Sequence, residues 1–99
     1  MGATTFVTGS KTTEAKTAFQ ELVERARYEC GNDGYTGTIA EKNSFKLATE
    51  DILPISEARQ LANKILDDED DDRFSNKYGP AGAIQLQRGG WLFFGWASE

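Results

Sequence analysis

The sequence predicts an α+β domain: a largely antiparallel sheet of four to five strands with two helices packed on one face, in the order β-α-β-β-α-β-β. Three observations predict it. Two stretches repeat apolar residues every three or four positions, several short runs are rich in β-branched and aromatic residues, and turns containing Gly, Asn or Pro separate them. Ninety-nine residues suit one compact domain over 1–99, with a modest core and no room for a second.

Thr4 to Thr8 is β-branched and aromatic and reads as the first strand, which Gly9-Ser10 ends. A helix follows, with Thr12 as its N-cap and Glu14 in its first turn. Ala15, Ala18, Phe19, Leu22, Val23 and Ala26 form one apolar stripe, and Gly31 is placed to stop it. The other face, with Lys16, Gln20, Glu21, Glu24 and Arg25, is a mixed solvated surface. Gly31-Asn32-Asp33-Gly34 is turn chemistry, Tyr35 to Glu41 reads as a strand, and Lys42-Asn43-Ser44 turns the chain into Phe45-Lys46-Leu47 as a hairpin. After Leu53-Pro54, Ser56 caps a second helix carrying Ala58, Leu61, Ala62, Ile65 and Leu66 at helical spacing. Asp72 to Pro80 is a polar loop. Ala83 to Gln87 alternates as a half-buried strand, Arg88-Gly89-Gly90 turns, and Trp91 to Trp96 returns with both of its faces apolar.

Composition narrows the function. Hydrophobic residues are 38% and charged residues 27% of the chain, a balance that folds in water, and no apolar run is long enough to span a bilayer. The N-terminus has no signal-peptide pattern, so a cytoplasmic location is expected. There is no histidine and one cysteine, Cys30, which excludes Ser-His-Asp and Cys-His machinery, His-ligated metals and an internal disulfide. Sixteen acidic residues against eleven basic ones give a net charge of −5. That charge argues against direct binding to nucleic-acid phosphates, whose affinity comes from Lys and Arg displacing counterions. A basic partner fits better.

The run Asp67-Asp68-Glu69-Asp70-Asp71-Asp72 sits where the second helix ends. A helix C-terminus carries partial negative charge and favours Lys or Arg, so folding alone does not ask for six carboxylates there. Asp68, Asp70 and Asp72 have the first spacing of a calcium loop, but Arg73 stands where glycine is needed and Gly79 where a bidentate Glu is needed. No metal site is expected. The run reads either as a solvated loop or as a partner-facing surface that imitates phosphate charge.

Two other features carry candidate sites. Gly34, Tyr35, Thr36, Gly37 and Thr38 combine loop N–H groups, hydroxyls and a ring suited to a nucleotide, although this loop leaves a helix and enters a strand, the reverse of the usual phosphate cradles. The doubly apolar strand, with Trp91 and Trp96 at its ends, leaves one face to be covered by a second copy or a partner if both helices lie on the other, and Arg73, Phe74 and Tyr78 extend that surface. The remaining acidic pairs, Glu41 beside Lys42 and Glu50-Asp51, have nothing to distinguish them from surface charge. We expect no catalytic residues and no cofactor.

Three segments together, Ala26-Arg27-Tyr28-Glu29-Cys30-Gly31 leading into Gly34 to Lys42, then Lys77 to Gly82, then Leu92 to Ala97, resemble small proteins of undefined role encoded by bacteriophages and other bacterial mobile elements. The resemblance brings no activity and no catalytic residues. It implies a setting in which small acidic proteins block host defence. The leading expectation is a binding protein of anti-CRISPR or anti-restriction type, acting in the host cytoplasm on the basic nucleic-acid site of a defence protein. The alternatives are a sponge for a nucleotide immune signal, and an enzyme on nucleotides with a metal held by carboxylates alone.

Overall fold

The computed structural model of the chain describes residues 3–30, 39, 42, 44–67 and 80–98. Its elements are β1 (Ala3–Ser10), α1 (Ala15–Cys30), β2 (Phe45–Leu47), α2 (Ile55–Asp67), β3 (Ala81–Gln85) and β4 (Trp91–Ser98). The strand expected over Tyr35 to Glu41 lies outside the described residues, apart from Ile39. The Ile39 carbonyl accepts the Lys42 N–H at 2.9 Å.

Both helices start away from their expected caps. The Glu14 carbonyl accepts the Ala18 N–H at 2.8 Å, which puts Glu14 at the cap position of α1, where its carboxylate takes the Thr17 hydroxyl at 3.2 Å. Thr12 instead donates its hydroxyl to Glu21 at 2.7 Å. In α2 the Pro54 carbonyl accepts the Ala58 N–H at 2.9 Å, so Ser56 falls inside the first turn.

The four strands form a mixed sheet in the order β1-β4-β3-β2. β1 runs antiparallel to β4 along its whole length, from Ala3 opposite Ser98 to Ser10 opposite Trp91, and β3 is antiparallel to β4 with Gly82 opposite Phe94. The hairpin expected at Lys42-Asn43-Ser44 involves residues outside the described ones, and β2 is parallel to β3, with Phe45 opposite Ala81. Parallel neighbours cannot be joined by a tight turn, because the chain must travel back along the sheet before pairing again. α2 makes that journey.

The helices cover opposite faces, which corrects the one-face arrangement expected from sequence. α1 packs Ala18, Phe19, Leu22 and Val23 on Ala81, Ala83, Trp91 and Phe93, whereas α2 packs Ala58, Ala62, Ile65 and Leu66 on Ile84, Leu92 and Phe94. Successive strand residues point to opposite sides, so Trp91 and Phe93 face one helix and Leu92 and Phe94 the other. Both faces of β4 are therefore core. Phe93 and Phe94 are 0% exposed and Leu92 is 1% exposed. The Phe19, Phe45 and Phe93 rings pack with centroids 5.1 to 5.5 Å apart, and the Phe94 ring lies across Gly82, leaving no space there for a Cβ.

Among the described residues, one charged side chain enters this interior. Lys42 is 1% exposed, and its Cε lies 3.4 Å from where a Cβ on Gly95 would sit. Burial lowers its ammonium from 10.5 to about 8. Between those values the unfolded chain holds a proton that the folded chain has released, so the Lys42 contribution to stability rises with pH across that window and is flat below it. In urea unfolding, the wild type should gain stability relative to Lys42→Met as the pH is raised from about 8 to about 10. Parallel pH profiles for the two proteins would show that the amine is not desolvated.

Candidate functional site

Asp67 is the last residue of α2 and is exposed. The helix presents Ser56, Glu57, Arg59, Gln60, Asn63 and Lys64 to solvent as well, while Ala58, Ala62, Ile65 and Leu66 are buried. The apolar stripe thus fixes which way α2 faces, and the chain leaves the helix into the acidic run with its first carboxylate already in water. Lys64 is the basic residue of the last turn, the charge that a helix C-terminus favours. Asp68, Glu69, Asp70, Asp71, Asp72, Arg73, Phe74 and Tyr78 lie outside the described residues, as do Gly34, Tyr35, Thr36, Gly37 and Thr38.

The two tryptophans are placed differently from the surface expected for them. Trp91 is 9% exposed, and its indole Nε1 donates to the Thr13 carbonyl at 2.8 Å, tying β4 to the segment that enters α1. Trp96 is half-buried against the core under α2. β4 also lies between β1 and β3, so its backbone edges are paired on both sides. A homodimer or partner interface through this strand was expected because one of its faces needed a cover, and α2 is that cover.

Among the described residues no three His, Cys, Asp or Glu side chains gather as ligands for one metal ion, and no helix is long and apolar enough to cross a membrane. Tyr28 stands 91% exposed near the end of α1, beside the one ion pair among the described residues, Arg25 to Glu29 at 3.3 Å. That pair is solvated and of the kind that contributes little.

No protein-family model, curated protein or solved structure matches this chain.

Proposed function

We propose that this chain is a stoichiometric binding protein of phage or mobile-element type that inhibits a bacterial defence system, anti-CRISPR or anti-restriction, by occupying a basic nucleic-acid-binding surface in the host cytoplasm. The observation that carries the reading is the acidic run: six consecutive carboxylates that begin at the exposed C-terminal residue of α2, where the helix dipole opposes them. Their clustering costs electrostatic energy within the chain, and a basic partner turns that cost into attraction. The net charge of −5 acts in the same direction at longer range. Arg73, Phe74 and Tyr78 follow at once in the sequence and supply the Arg and aromatic anchors that usually carry most interface energy.

The test is plaquing efficiency. Bacteria that carry one active CRISPR or restriction system are infected with a phage that the system restricts, with and without this chain expressed. Expression should restore plaquing in at least one system, and a variant with Asp67 to Asp72 replaced by their amides should restore it less. Restoration to the same level by that variant would remove the acidic run from the mechanism.

A further inference from the structure

On the α1 side of the sheet, a groove of about 470 Å³ opens between the helix and the segment that enters β2. A volume of that order lies within the roughly 300–1,000 Å³ of small-molecule clefts. Its helical wall is one stripe, Lys16, Gln20, Val23 and Arg27, spaced four, three and four residues apart, with Phe19 beneath. Three helical turns separate Lys16 from Arg27, roughly 16 Å along the axis, so a cation stands at each end of an apolar floor. Phe45 forms the opposite wall and packs on Phe19 at a centroid distance of 5.1 Å, and Lys42 lines the groove beside it.

The charge pattern is the reverse of the chain's. Three of the eleven basic residues line this groove and, among the described residues, no acidic residue does, in a protein of net charge −5. Arg25 is paired with Glu29, whereas Lys16 and Arg27 have no ion pair or hydrogen bond among the described residues. Unpaired cations flanking an aromatic floor suit a ligand that joins negative charge to a flat ring, since Arg and Lys grip phosphate oxygens and Phe45 offers a face for stacking.

We propose that the groove between α1 and β2 binds a small planar organic anion, an aromatic ring carrying a phosphate group. The ring lies against Phe45 and Val23, and the phosphate meets Arg27 or Lys16. The site is separate from the acidic run and stands whether or not that run meets a partner.

The probe is adenosine 5′-monophosphate, titrated by calorimetry and by amide chemical shifts, with adenosine and inorganic phosphate as its two halves. The monophosphate should saturate, with shifts concentrated in residues 16–27 and 44–45, and each half should bind at least tenfold more weakly. Of Lys16→Gln and Arg27→Gln, both at exposed positions that leave the core intact, the one whose side chain meets the phosphate should weaken binding about tenfold, the scale of one lost charge-assisted hydrogen bond, and the other should change it little. Arg88→Gln removes the same charge from the β3–β4 turn and should leave binding unchanged. Phosphate binding as tightly as the monophosphate would discard the aromatic floor, adenosine doing so would discard the cations, and wild-type affinity in both groove variants would place any binding elsewhere. Absence of saturation by the monophosphate would overturn the proposal outright.

Discussion

Phe93→Ala should destabilise the fold by about 3–5 kcal/mol, the range for truncating a fully buried aromatic. Phe93 is 0% exposed at the centre of the α1-side core, where its ring meets Phe19 at 5.5 Å and Phe45 at 5.4 Å. Its removal leaves a cavity beneath a helix and between two strands, where the backbone has little freedom to collapse. Domains of this size are stable by about 5–15 kcal/mol, so the loss takes about a fifth of that or more and lowers the melting temperature on the order of 20 °C. Val7→Ala, on the edge strand β1 at 38% exposure, should cost less than about 1 kcal/mol. Urea and thermal unfolding of both variants decide the matter. Similar losses at the two positions would contradict a Phe93 enclosed in the α1-side core.

Gly90→Ala should cost about 3 kcal/mol or more, for a reason unrelated to side-chain burial. Gly90 adopts φ of 96°, and a Cβ there would run into the Ser10 carbonyl oxygen. The positive φ alone disfavours an L residue by about 1–2 kcal/mol. The overlap is with backbone, and relieving it pulls the end of β1 away from β4 at the Ser10–Trp91 pair. Gly89 is the internal control. It has a similar φ of 85° and donates its N–H to Leu86 at 3.1 Å, but its Cβ would meet only a methyl of Thr13 at 3.4 Å. Gly89→Asn should therefore be tolerated at about 1 kcal/mol, because asparagine accepts the left-handed region. Equal losses at the two glycines would show that the close approach of the turn to β1 is not formed.

Both helices were legible in the sequence because their apolar stripes repeat cleanly, and β1 and β4 were legible from their aromatic and β-branched content. The face on which α2 sits was not. That face follows from the parallel pairing of β2 with β3, and neither strand advertises the pairing: β2 is three residues long, and β3 opens with Ala81-Gly82-Ala83, small residues that strands seldom favour. They are small here because both faces are covered, with α1 on Ala81 and Ala83 and the Phe94 ring on Gly82. The two apolar faces of Trp91 to Trp96 read in sequence as one core face and one left for a second copy or a partner, and in the structure α2 packs on that second face.

The groove was harder to see. Lys16 and Gln20 were read as plain solvated surface, and nothing local distinguishes them from Glu21 or Glu24 on the same helix. Their helical register with Val23 and Arg27 was available, but the opposing wall comes from Lys42, Ser44 and Phe45, far along the chain. Only tertiary packing brings the two walls together.

The acidic run is tested most directly through its association rate. With the defence protein that the plaquing assay identifies, stopped-flow mixing would compare the wild type with the variant in which Asp67 to Asp72 are amides, at about 0.05 M and about 1 M salt. Long-range attraction acts on encounter more than on final affinity, and the Debye length shrinks to about 3 Å at 1 M ionic strength. The amide variant should associate at least tenfold more slowly at low salt, and the two rates should converge at high salt. Equal rates at low salt would contradict a mechanism built on that charge.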